Sequence, residues 1–123
     1  MILVDTSVWI NHLRATDERL SALLDAGEVL VHPFVIGELA LGDLQPRDAV
    51  LSDLRDLPQA VVAENEHVLD LIERSALFGR GIGYVDAHLV AAVRLTADAK
   101  LWTYDQRLQS AAVELGLAPM LPH

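Results

Sequence analysis

The sequence has no cysteine, so a disulfide framework and a thiolate zinc site are both excluded. Lysine is nearly absent too: Lys100 stands alone beside eight arginines scattered from Arg14 to Arg107. Eighteen acids face these nine bases, for a formal charge of −9. No basic face for neutralising phosphates is legible, so a nucleic-acid substrate would need cations or a basic partner to supply the missing charge. Aromatics are sparse, with two each of Trp, Tyr and Phe. No apolar run is long enough to cross a bilayer, because Asp, Arg or Glu interrupts each one. No basic segment precedes the apolar N-terminus, as it would in a secretory signal. A cytoplasmic protein with no membrane association is the expectation. What the chain does have is hydrophobic residues, 52% of 123, mostly Ala, Val and Leu. That composition fits one folded, helix-rich domain spanning residues 1–123.

The order of elements comes from apolar runs and their punctuation. Ile2-Leu3-Val4 reads as a strand buried on both faces, stopped by Asp5. Thr6 and Ser7 can cap the helix turn Val8-Trp9-Ile10. Thr16 can cap a helix from Asp17 to Ala26 that Gly27 ends. Val29-Leu30-Val31 makes a second strand, and Pro33 opens a helix reaching Gly42. Further helices are expected over Pro46–Leu57, from an Asn65 cap to Phe78, over Tyr84–Ala97 and over Gln106–Leu115. Ala60–Ala63 is a weak strand candidate, Leu101–Thr103 a firmer one, and Leu117–Leu121 an edge strand before a Pro122-His123 tail. The loop Gly79-Arg80-Gly81-Ile82-Gly83 lacks the Lys-Ser or Lys-Thr pair of a phosphate loop. Strands alternating with helices predict an α/β fold with a mostly parallel, helix-covered sheet.

Four acids stand out by position. Asp5 and Asp105 each follow a short apolar strand and precede a helix, which puts both at the carboxyl edge of the sheet, where such folds bind ligands. Asp86 lies in the first turn of an apolar helix, and Glu38 lies within the apolar helix Val35–Leu41, where an acid is costly unless compensated. Each has a structural alternative. Asp5 can be an N-cap, Asp86 can serve its helix dipole, and Glu38 can pair with Arg80 or Arg107. Converging carboxylates repel and need a divalent cation to stay ionised together. All-oxygen ligation suits Mg²⁺ or Mn²⁺, and such a site suits phosphodiester cleavage. The hydroxyls of Thr6, Ser7 and Thr103 flank Asp5 and Asp105 and are candidates for orienting a carboxylate or a metal-bound water. His12, His32, His67 and His88 have no ligand-like spacing and read as structural or surface residues.

These segments resemble the PIN-domain ribonucleases, and within them the VapC toxins of bacterial toxin–antitoxin pairs. The resemblance rests on Ile2-Leu3-Val4-Asp5-Thr6-Ser7-Val8-Trp9-Ile10, on Ile36-Gly37-Glu38-Leu39, on Gly83-Tyr84-Val85-Asp86-Ala87-His88-Leu89-Val90-Ala91-Ala92 and on Trp102-Thr103-Tyr104-Asp105, in order along nearly the whole chain. Leu108 stands where the family often has an aromatic, and His88 at a variable position. The resemblance implies a flavodoxin-like α/β/α sandwich that cleaves RNA with Mg²⁺ or Mn²⁺. Asp5, Asp86 and Asp105 would hold the metal, and Glu38 would orient or deprotonate the attacking water. A homodimer and a small VapB-like antitoxin are implied as partners. Arg80 is the first candidate for a phosphate contact with RNA, and Arg107 the second. An acidic surface also suits an antitoxin tail that supplies arginine.

Alternatives remain. A phosphoacceptor receiver domain would need clustered acids after strand one, where Asp5 is alone. A haloacid-dehalogenase-type phosphatase needs an acid two residues after Asp5, where Ser7 stands. A housekeeping PIN-domain RNA-processing nuclease keeps the same four acids, whereas a non-catalytic PIN-like scaffold would have lost at least one.

Overall fold

The computed structural model describes residues 1–121; the expected Pro122-His123 tail lies outside the described residues. Three short strands, β1 (Ile2–Val4), β2 (Val29–Leu30) and β3 (Lys100–Trp102), form a parallel sheet in the order β2-β1-β3. Ile2 lies opposite Val29 and Lys100, Leu3 opposite Leu30 and Leu101, and Val4 opposite Trp102. The central position of β1 explains its unbroken apolar run: Leu3 and Val4 are wholly buried, with no polar face for water to meet. The chain passes from β1 to β2 on one side and later to β3 on the other. The carboxyl end of β1 is therefore the switch point of the sheet, where α/β folds open a crevice.

Among the described residues seven helices complete the α/β architecture: α1 (Thr6–Arg14), α2 (Glu18–Asp25), α3 (Pro33–Ala40), α4 (Arg47–Asp56), α5 (Asn65–Arg74), α6 (Tyr84–Arg94) and α7 (Gln106–Glu114). The deepest is α6, buried without interruption from Ala87 to Val93 and packed on β3 and α5. Helix α1 packs on α3, and α3 on α4. Leu20, Leu89, Leu101 and Leu108 are fully buried, bringing helices and sheet into one core. Burial of each such side chain stabilises the fold by roughly 1.5–3 kcal/mol.

Several boundaries differ from expectation for local reasons. Asp17, not Thr16, caps α2: its carboxylate accepts the N–H groups of Arg19 and Leu20. His32 caps α3, its Nδ1 accepting the Phe34 N–H at 3.0 Å. Helix α5 starts behind Glu64 without a side-chain cap and ends at Arg74, because Ala76 turns left-handed at φ +50°. Asp98, at φ +60°, marks the turn between α6 and β3. The Ala60–Ala63 strand does not form. Val61 and Val62 stay exposed, and pairing is limited to one parallel bridge between Val31 and Gln59. The Leu117–Leu121 strand is reduced to one bond, from the Leu101 N–H to the Leu117 carbonyl at 2.8 Å. Pro119, which has no N–H to donate, interrupts that segment.

Candidate active site

Asp5 follows the central strand directly. Its N–H continues the ladder to the Trp102 carbonyl at 2.9 Å, and its own carbonyl accepts the first bonds of α1, from the Val8 and Trp9 N–H groups. Its backbone therefore occupies the N-cap position, yet its carboxylate caps nothing. Instead Oδ2 accepts two hydroxyls, Ser7 Oγ and Thr103 Oγ1, each at 2.7 Å. Ser7 Oγ in turn accepts the Tyr104 N–H at 3.0 Å, and Thr103 Oγ1 the Asp105 N–H at 3.0 Å. The carboxylate of a residue only 5% exposed is thus fixed in direction by two hydroxyls, themselves held by the β3–α7 loop. Capping by Thr6 and Ser7, expected from sequence, does not occur, because α1 begins at Thr6 itself and both hydroxyls are engaged elsewhere.

Glu38 reaches the same region from α3. Thr6 Oγ1 donates to its Oε1 at 2.7 Å, tying the start of α1 to a residue 32 positions later. Glu38 is exposed rather than buried in an apolar setting, and it pairs with no arginine among the described residues, in contrast to the ion pair considered from sequence. Asp105 caps α7: Oδ1 accepts the Arg107 and Leu108 N–H groups at 2.9 and 3.1 Å. Asp86, half-buried in the first turn of α6, accepts the Gly83 N–H on Oδ2 at 3.3 Å.

The four acids are close enough for the charges of Asp5, Asp105 and Glu38 to be felt at Asp86. The Asp86 carboxyl is pushed up from 3.8 to about 6, first by burial and then by the negative charge of Asp5, with Asp105 and Glu38 adding to it against the Gly83 N–H. Among the described residues no three His, Asp or Glu side chains stand close enough, as they are, to hold an ion. Ionised carboxylates without a counter-charge keep apart. The donor chemistry nevertheless fits a hard divalent cation: every donor is oxygen, and the negative charge of the other three acids is felt at Asp86. An edge of this kind can bind a hard cation, orient water and accept a proton.

The remaining sequence candidates are placed differently. Arg80 is held by Glu114, with Nη1 to Oε2 at 2.7 Å. Arg107 makes no side-chain hydrogen bond or ion pair among the described residues. His12 accepts the Asp17 N–H on Nδ1, and His67 is exposed. His88 is buried against the rings of Phe34, His32 and Tyr84, with neither ring nitrogen partnered among the described residues. Sequence reasoning missed Tyr104. Its N–H bonds to Ser7, while its hydroxyl donates to Asp17 Oδ2 at 2.7 Å and accepts from Arg19 at 2.9 Å. Its place between Thr103 and Asp105 was the only available signal.

The sequence model of the family described as "PIN domain" matches residues 2–114. Two relatives are similar over almost the whole chain. "Ribonuclease VapC32" of Mycobacterium tuberculosis (strain CDC 1551 / Oshkosh) is 53% identical over 118 residues, covering 96% of this chain and 95% of its own length. "Ribonuclease VapC32" of Mycobacterium tuberculosis (strain ATCC 25618 / H37Rv) has the same identity and coverage.

Proposed function

Because the chain belongs to the VapC group of the PIN-domain family, we propose that it is an endoribonuclease toxin that cleaves RNA with Mg²⁺ or Mn²⁺ and is inhibited by a small VapB-like antitoxin. The observation that carries this reading is the coupling of Asp86 to Asp5, Asp105 and Glu38 at one sheet edge, with no arginine paired to any of them among the described residues. Asp5, Asp86 and Asp105 are the residues that would hold the cation. When bound, the cation supplies charge neutralisation at the phosphate and a more acidic water.

The chain's own groups then have separate tasks. Ser7 and Thr103 fix the Asp5 carboxylate, and Thr6 fixes Glu38. Exposed and held by one oxygen, Glu38 is the group that orients the attacking water and takes up its proton. In the hydrolysis the water oxygen bonds to phosphorus, one P–O bond to a ribose oxygen breaks, and that oxygen gains a proton. A homodimer and a cytoplasmic location complete the proposal; among the described residues no helix is long and apolar enough to cross a membrane.

The test is cleavage of structured RNA by purified protein with Mg²⁺ or Mn²⁺, its loss with chelator, and its loss in Asp5→Asn. Activity unchanged in that variant would falsify the assignment. Co-expression with the small protein of an adjacent reading frame should yield an inactive complex; full activity in the complex would exclude the antitoxin relation.

A further inference from the structure

A chain of charge −9 needs some local means of holding a polyanion. Along the flank of α7 lies a shallow cavity of about 290 Å³ lined by Arg80, Gln106, Arg107 and Ser110. Every one of these side chains can donate a hydrogen bond, and none is a carboxylate. The cavity begins next to the acid edge, since Gln106 and Arg107 directly follow Asp105.

The two arginines are in different states. Arg107 lies across Gly81, whose φ of +76° suits glycine and whose missing Cβ would stand 2.8 Å from Arg107 Nη1 and 2.9 Å from its Cδ. The backbone of the glycine-rich loop thus makes room for this side chain, and its guanidinium has no partner among the described residues. Arg80, from the same loop, is paired at 2.7 Å with Glu114, whose side chain is 59% exposed. Arg107, Ser110 and Glu114 recur at helical spacing along one face of α7, so the carboxylate stands at the far end of the same surface.

We propose that Arg107 and Arg80, with Gln106 and Ser110, form a subsite for a phosphodiester of the RNA strand flanking the one cleaved at the acid edge, and that Glu114 competes with this phosphate for Arg80. A guanidinium fork matches two non-bridging phosphate oxygens, and an exposed ion pair is weak enough for a strand already held at Arg107 to displace it. The inference rests on the ribonuclease reading and assigns the residues that hold the strand rather than those that cut it.

The experiment measures binding alone. Anisotropy of a fluorescent single-stranded oligoribonucleotide is titrated with full-length protein in chelator, over a salt series. Arg107→Ala and Arg107→Gln, the second keeping most of the packing against Gly81, should each weaken binding about tenfold. Each should also flatten the log–log salt slope by about 0.7. Glu114→Gln should tighten binding about threefold by releasing Arg80. Arg55→Ala, the same loss of charge on α4, should change affinity by less than about twofold.

Wild-type affinity and slope in both Arg107 variants would overturn the subsite. So would an equal loss in Arg55→Ala, or binding no tighter in Glu114→Gln. If the wild type cleaves RNA while the Arg107 variants bind normally, the subsite is wrong and the ribonuclease stands. If the wild type neither cleaves nor binds, both fail together.

Discussion

Asp17 and Asp86 both serve helix starts with their carboxylates, yet their surroundings are opposite. The Arg19 guanidinium holds the Asp17 carboxyl down to about 2, helped by the Tyr104 hydroxyl and the N–H groups of Arg19 and Leu20, against a burial that raises it. Arg19 also lies 5.2 Å over the Trp102 ring, so the network joins the start of α2 to the strand that leads into Asp105. Asp86 has one long backbone bond and three acids for neighbours, and rises to about 6. A compensated acid is a structural part; an acid left uncompensated beside other acids is disposed to take a cation. The chain spends an arginine on Asp17 and none on Asp5, Glu38, Asp86 or Asp105 among the described residues.

Four measurements would break or sharpen that contrast. The largest effect is expected at the acid edge. Thr103→Val keeps the shape but leaves Asp5 Oδ2 with one hydroxyl, and cleavage should fall by about 10–100-fold. Equal turnover by variant and wild type would mean that the orientation of Asp5 is not what limits the reaction.

Asp17→Ala, on the compensated side, should cost about 2 kcal/mol in a denaturant titration at neutral pH, through the lost cap and the lost Arg19 pairing. Because the folded pKa of Asp17 is depressed, its stabilisation is present above the unfolded value of 3.8 and is lost as pH falls through about 2. The gap between variant and wild type should therefore narrow in acid. A gap independent of pH would show that the ion pair contributes nothing.

Asp86→Asn should act in the other direction in metal-free protein. The raised pKa makes ionised Asp86 a burden that is absent below 3.8, grows as pH rises towards about 6 and is full above it. The variant should gain about 1 kcal/mol above that range, a figure discounted for its half-exposed position. A variant melting well below wild type would make Asp86 structural.

The smallest effect concerns the buried His88, whose two ring nitrogens have no partner among the described residues and leave an uncompensated polarity. Burial pushes its pKa down, and the neighbouring His32 is held at about 4, first by burial and then by its closeness to the His88 ring. His88→Phe should add about 0.5 kcal/mol of stability and leave the rings of Phe34 and Tyr84 packed. Loss of cleavage in a stably folded variant would instead bring His88 into the site.

Much of this was legible because local rules agree with the fold. The run Ile2-Leu3-Val4 is continuous because β1 is central, and α6 reads as apolar because seven successive residues of it are buried. The ends of elements were less legible. Ala76 and Asp98 turn left-handed without glycine, and nothing in Ala60–Ala63 announces that Val61 and Val62 stay in water. Glu38 misled, since apolar sequence neighbours on a helix do not say which face an acid takes.

The sequence by itself determined the α/β alternation, the order of the four acids and the lack of cysteine and of any apolar run long enough to span a bilayer, because strand runs, helix punctuation and composition are local properties. Only the tertiary structure decided which hydroxyl holds which acid: Ser7 and Thr103 on Asp5, Thr6 on Glu38. It also decided that, among the described residues, Arg80 is engaged while Arg107 has no partner, and that Asp17 rather than any site acid receives an arginine. Those pairings join residues up to 98 positions apart. They are set by how helices seat on a three-stranded sheet, which no stretch of neighbouring residues specifies alone.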